Sequence, residues 1–220
     1  MSEAAKPDGA LTAHEVTTLQ AFRDLFSNAV LHPGDQVSIA QIALMFTDLK
    51  GSTALYERIG DASAYHLVRE HFAYLGRIVR GHRGAIVKTI GDSVMAAFAE
   101  PADAVRAALD VQQGTEAFNR DQGGEAISIK IGVHAGASIA VTLNDRLDYF
   151  GSMVNLAARV QGLAAGGEVV VSGQLAQDPS VAPLVAEGRR ERARVRGIAE
   201  PVEVVRLPGD PVVEEKTNGG

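Results

Sequence analysis

Two aspartates, each at the end of an apolar run and each set among small polar residues, are the first groups in this sequence that could do chemistry. Asp48 stands in Phe46-Thr47-Asp48-Leu49-Lys50-Gly51-Ser52-Thr53, after the apolar stretch 39–45, and Asp92 stands in Lys88-Thr89-Ile90-Gly91-Asp92-Ser93. An acid at a strand exit, followed by a Gly/Ser/Thr turn that opens a helix, suits a phosphate–metal site. The carboxylate holds a hard cation, and the free N–H groups of the turn face a phosphate. Alone, the same pattern also reads as an aspartate capping a helix. A second acid turn shifts the balance, because two carboxylates can hold a metal pair that activates an attacking oxygen and stabilises a leaving phosphate. Asn155 and Arg159, four apart on a predicted helix, stack at the rim of a stripe formed by Leu156, Val160 and Leu163. An amide beside a guanidinium suits a charged phosphoryl centre, and the pattern fits a solvated helix face as well.

The elements that must position these groups follow from periodicity. Residues 39–45 read as a buried strand, and 52–59 as a helix that breaks at Gly60-Asp61. A longer helix carries Val68, Phe72, Leu75 and Val79 on one face and ends at 81–84. Strands over 85–88 and 94–98 form a hairpin with Asp92 at its turn, and Pro101 starts a helix running to about Phe118. Ile127, Ile129, Ile131 and Val133 alternate, so Ser128, Lys130, Gly132 and His134 look away from that core. Residues 143–149 read as a loop or a short strand, and Ser152 as the cap of the helix carrying Asn155 and Arg159. Strands are expected over 168–171, 192–196 and 202–207, with 179–190 irregular. Before the first strand, 12–30 form an amphipathic helix (Leu19, Phe22, Phe26, Val30) that packs on the domain, pairs with its twin or transduces a signal. The expected division is a flexible segment plus this helix over 1–38, one domain over 39–207, and a disordered tail over 208–220. The order of elements gives an α+β fold, a mixed sheet with helices packed on one face.

Composition narrows the function classes. The 220 residues suffice for one sizeable core. A formal charge of -6 and a pI near 5.5 argue against a nucleic-acid surface. The absence of cysteine excludes disulfides and thiolate chemistry and fits a reducing compartment. With no apolar leader at residues 1–8 and no run long enough to span a bilayer, the chain reads as cytoplasmic. Neither a G-x-x-x-x-G-K-[ST] loop nor a G-x-G-x-x-G after a strand is present. His66 and His71 are five apart and do not share a helix face, His134 reads as structural or supporting, and Tyr149 and Phe150 read as core or interface.

Four segments together resemble the class III nucleotidyl cyclases: Phe46 to Thr53, Lys88 to Asp92, Ile131-Gly132-Val133-His134-Ala135-Gly136, and Asp148 to Arg159. The likeness extends over about 39–207, in order and at the family's spacing. It implies a ferredoxin-like, βαββαβ-based cyclase fold. It further implies that Asp48 and Asp92 bind two divalent cations (Mg²⁺ or Mn²⁺), with Leu49 lending a carbonyl, and that Lys50, Gly51, Ser52 and Thr53 lie over the nucleotide phosphates. Lys88 and Asp148 match the pair that reads the purine in adenylate cyclases; lysine only donates and ionised aspartate only accepts, which suits adenine. Asn155 matches the asparagine that orients the ribose, and Arg159 the arginine at the α-phosphate. Arg196 falls near a phosphate-binding lysine, and Lys130 stands where another family member has a phosphate-binding arginine. The implied enzyme is a phosphorus–oxygen lyase, an adenylate cyclase converting ATP to cyclic AMP and pyrophosphate at two shared sites of a homodimer. The alternatives are a cyclase for GTP or a pyrimidine nucleotide, and a catalytically silent nucleotide-binding module. The silent module predicts loss of Asp48, Asp92, Asn155 or Arg159, and all four are present.

Overall fold

The computed structural model describes residues 36–123, 126–143, 146–198 and 200–208. The helix expected over 12–30 and the tail from 209 onward lie outside these residues. The chain runs β1 (Gln36–Leu49), α1 (Ser52–Ile59), α2 (Asp61–Gly81), β2 (Ala85–Ile90), β3 (Ser93–Phe98), α3 (Pro101–Asp121) and β4 (Ile129–Leu143). These form the expected βαββαβ unit, with two helices in its first crossover. Next come β5 (Arg146–Phe150), α4 (Ser152–Gly162), β6 (Glu168–Ser172), the short α5 (Gly173–Ala176), a 3₁₀ turn (Ala182–Val185), β7 (Arg189–Ala193) and β8 (Val202–Pro208).

One mixed sheet holds all the strands in the order β2-β3-β1-β4-β6-β8-β7, with β5 also on β4. β1 and β4 pair antiparallel from Gln36 opposite Val141 to Leu49 opposite Ile129. The other edge of β4 is divided: 130–133 run parallel to 168–171 of β6, and 139–143 pair antiparallel with β5. β4 therefore continues well past the alternation that ends at Val133. Its second half, rich in Gly, Ala and Ser, carries no clear period and is held extended by pairing on both edges. Of the two readings for 143–149, the strand is observed as β5. The strand expected over 192–196 lies three residues earlier, at 189–193; it is a largely exposed edge strand with no buried face to mark its ends. The irregular stretch before it includes the 3₁₀ turn, and α5 precedes that.

Alternation along β1 divides the core. Ala43, Met45 and Leu49 face the layer of α1, α2 and α3 with Leu67, Leu75 and Val105. Ile42, Leu44 and Phe46 face the opposite side, covered by Leu147 and Tyr149 of β5 and by Met153 and Ala157 of α4. The one-sided helical layer thus holds for α1 to α3, and α4 lies on the other face. Residue 132 makes this possible. A Cβ there would lie 2.6 Å from the Gln161 Cβ and still closer to that residue's backbone, so α4 rests on β4 only because the strand carries glycine. Hence the even positions of β4 do not all face solvent, and His134 is buried at 2 % exposure. Ser152 is the first helical residue of α4 and does not cap it; Gly151 takes the cap position. Among the described residues no helix is long and apolar enough to cross a membrane.

Candidate active site

Backbone register builds an acidic corner at one end of the sheet. Asp48 lies opposite Lys130 of β4, and Thr47 opposite Val94 of β3, which brings Ser93 beside Asp48. The Ser93 hydroxyl donates to Asp48 Oδ1 at 2.8 Å, and the Lys130 ammonium meets Asp48 Oδ2 at 2.5 Å. Asp92 occupies the β2–β3 turn beside Gly91, whose φ of +62° is the left-handed conformation this tight turn needs. Asp92 Oδ2 is buried and has no hydrogen-bond partner among the described residues. One helical turn beyond Ser52, the Tyr56 hydroxyl is likewise buried, with the Ser52 side chain beside it. Burial pushes its phenol up to about 12, and the charges of Asp92 and Asp48 add to the effect. Ser93 and Tyr56 were not among the residues expected here. Ser93 adjoins Asp92 in the hairpin, so strand register would have found it, whereas Tyr56 depends on where α1 packs.

The turn after Asp48 is fixed at both ends. Lys50 N–H donates to the Ser128 carbonyl at 2.8 Å, anchoring the turn to the approach of β4. Gly51 adopts φ +68°, and α1 begins at Ser52 with no side-chain cap. The first intrahelical bond runs from Leu55 N–H to the Gly51 carbonyl at 3.1 Å, so earlier N–H groups at this end, around Ser52 and Thr53, have no partner within the helix and suit an anion.

Lys88 and Asp148, 60 residues apart, meet where β5 lies against β2. β5 folds back toward β2, and Lys88 Nζ donates to Asp148 Oδ2 at 2.6 Å. The other Asp148 oxygen accepts from Tyr149 N–H at 2.8 Å. The Asp148 side chain is buried (9 % exposed) and that of Lys88 is more open (37 %).

On α4, Asn155 and Arg159 are both exposed. Gly197, in the loop between β7 and β8, lies against Arg159: a Cβ on it would stand 3.2 Å from Nη2. Arg196 is exposed and precedes Gly197 in this loop. The C-terminal end of α4 is held by Arg206, whose Nη1 donates to the Leu163 carbonyl at 2.9 Å and to Glu168 at 2.6 Å, and whose Nε donates to Glu191 at 2.7 Å. The expected residues thus fall into three groups: the acidic corner with the turn that follows it, the Lys88–Asp148 pair, and the exposed face of α4 with Asn155 and Arg159. Among the described residues no side-chain hydrogen bond or ion pair joins one group to another.

Other candidates resolve as scaffolding. His134 is hydrogen-bonded to Ser172 Oγ at 2.7 Å, and burial lowers its pKa to about 4. His71 is fully buried with neither ring nitrogen bonded, its pKa likewise lowered to about 4 by burial, while His66 is exposed beside Arg69. Tyr149 is core and Phe150 is 69 % exposed.

The corner fits a divalent cation. Among the described residues no cluster of three or more His, Cys, Asp or Glu could hold a metal, so two carboxylates would need backbone or substrate oxygens to complete a shell. That pattern suits Mg²⁺ or Mn²⁺. Asp92 Oδ2 is buried without a hydrogen-bond partner among the described residues, and at Asp48 a lysine ammonium supplies one.

Residues 35–204 match the family model described as the adenylate and guanylate cyclase catalytic domain. An adenylate cyclase of Mycosarcoma maydis is 36% identical over 156 residues, 61% of this chain and 6% of that protein. The chain therefore spans only a small part of that relative. Among solved structures, the adenylyl cyclase CyaB from P. aeruginosa aligns with a TM-score of 0.68 at 21% identity, covering 84% of this chain and 100% of that one. The guanylyl cyclase Cya2 aligns at 0.70 and 20%, covering 82% and 98%.

Proposed function

Since the chain belongs to the adenylate and guanylate cyclase catalytic-domain family, we propose that it converts ATP to 3′,5′-cyclic AMP and pyrophosphate. The observation that carries the choice of base is the Lys88–Asp148 pair at 2.6 Å. Side by side, it offers one donor and one acceptor, matching adenine N1 and the N6 amino group; guanine presents the reverse polarity on that edge.

Asp48 and Asp92, with the Leu49 carbonyl, would hold the divalent cations. Bound there, such ions would supply a lowered pKa at the ribose 3′-hydroxyl and charge neutralisation at the leaving phosphates. The 3′-oxygen attacks the α-phosphorus as the bond to the β-phosphate breaks. Asn155 orients the ribose, and Arg159 neutralises charge on the α-phosphate, an effect that by analogy with arginine fingers is worth about 10³ to 10⁵ in rate. Lys50, Gly51, Ser52, Thr53, Lys130 and Arg196 hold the β- and γ-phosphates.

A site shared between two copies follows from the family likeness, in which the metal-binding and base-reading residues come from different subunits, and this chain carries both sets. The acidic corner of one protomer faces Lys88, Asp148, Asn155 and Arg159 of its partner, giving a head-to-tail homodimer with two equivalent sites. The catalytic unit is 39–207. The test is to incubate the purified chain with ATP, GTP, CTP and UTP separately, with Mg²⁺ or Mn²⁺, and identify products by mass. Cyclic AMP dominating is the expected result. Preference for GTP would keep the fold and mechanism but overturn the role given to Lys88 and Asp148.

A further inference from the structure

The two acids of the corner are not equivalent. Both oxygens of Asp48 are engaged, Oδ1 by Ser93 and Oδ2 by Lys130, whereas Asp92 Oδ2 is buried with no hydrogen-bond partner among the described residues. Lys130 is placed there by register, directly opposite Asp48 on a paired strand, and both side chains are only about a quarter exposed, at 24 % and 27 %. Its neighbour on the other edge of β4 is Glu168, but that carboxylate already accepts from Arg206 at 2.6 Å and from Ala165 N–H at 2.8 Å. Asp48 is thus the acid to which Lys130 commits its charge.

We propose that Lys130 is a built-in competitor of the divalent cation at Asp48, and that the nucleotide triphosphate relieves the competition by drawing the ammonium away. The inference rests on the cyclase reading. A divalent ion bound to Asp48 Oδ2 would sit within about 4 Å of the ammonium, where two positive charges in a partly desolvated corner repel strongly. The lysine must swing off before the metal seats, and a triphosphate offers it a new partner. Metal and nucleotide then promote each other's binding through one side chain, and linkage makes the effect reciprocal.

The test is Mn²⁺ titration of the nucleotide-free full chain, reading free Mn²⁺ by electron paramagnetic resonance. Wild type is compared with Lys130→Met, Lys130→Gln and the double variant Lys130→Met/Asp48→Asn, each first shown to melt as wild type does. Both single variants are expected to bind Mn²⁺ about three- to fivefold tighter than wild type, roughly one ion pair's worth of competition, with the gain absent in the double variant. Mn²⁺ should also enhance binding of 3′-deoxy-ATP less in the variants than in wild type. Single variants that bind Mn²⁺ no tighter than wild type, in a chain that does cyclise a nucleotide, would overturn the inference alone. A wild type that cyclises no nucleotide would remove the cyclase reading and this inference with it.

Discussion

Gly132 makes the sharpest demand on sequence in the fold, and replacing it with alanine isolates what the seat of α4 contributes. The added methyl would lie 2.6 Å from Gln161 Cβ and closer still to that residue's backbone nitrogen and Cα. Carbon contacts settle near 3.5 to 4.0 Å, so α4 must back away from β4 by roughly 1 Å. The obstacle is helix backbone, and no rotamer change relieves it. Overpacking of this kind costs about 1–3 kcal/mol. The displaced helix carries Asn155 and Arg159, and a 1 Å misplacement of reacting groups costs roughly 10²-fold in rate. Gly136 supplies the control: it shares the strand, the face and the helix, but its added Cβ would meet Met153 at an ordinary 3.4 Å. Urea denaturation and cyclase turnover on both variants should therefore diverge. Gly132→Ala is expected to lose about 2 kcal/mol and about a hundredfold in kcat, while Gly136→Ala stays within about 0.5 kcal/mol and retains its rate. Equal effects, or a Gly132→Ala variant as active as wild type, would refute the claim that direct contact with β4 positions α4.

Three further outcomes are expected. Burial holds His71 and His134 at about 4 against 6.5 in the unfolded chain, so the unfolded state binds protons first; stability is full above about pH 6.5 and is lost as pH falls toward 4. The loss approaches about 3 kcal/mol per ring, and His71→Leu should halve it and raise stability at pH 7 by about 1 kcal/mol, both read from urea midpoints across pH. Arg206→Met removes the donor to the Leu163 carbonyl and the cation beside Glu168, which keeps only the Ala165 N–H, so the loss of these two bonds should lower stability by about 2 kcal/mol in the same assay. Lys88→Met leaves the buried Asp148 without its cation, and the KM for ATP should rise by roughly tenfold or more, with the preference for ATP over GTP reduced.

What could be read from the sequence depended on whether a signal was local. Asp48 and Asp92 announce themselves because each follows its own apolar strand into its own turn, and Ile127 to Val133 mark the first half of β4 through strict alternation. The second half of β4 carries small residues without a period, and only its two partner strands hold it straight. His134 was expected on an open face because alternation names two faces without saying that both are covered; the trace of the covering helix is a single glycine two residues earlier. Lys88 and Asp148 share no local pattern; in the sequence only the likeness to a known family pairs them, and in the fold a 2.6 Å contact does. Tyr56 and the Arg206 clamp remained invisible for the same reason, since each is defined by packing between distant segments.

The shared site is tested most directly by mixing two inactive variants. Asp48→Ala lacks the acidic corner and Arg159→Ala lacks the transition-state cation, so each homodimer should form no cyclic AMP. Equal amounts mixed and allowed to exchange should recover about a quarter of wild-type turnover, because half of the random dimers carry one intact site out of two. Full silence of the mixture, with exchange of subunits demonstrated, would contradict a site built from two copies of this chain.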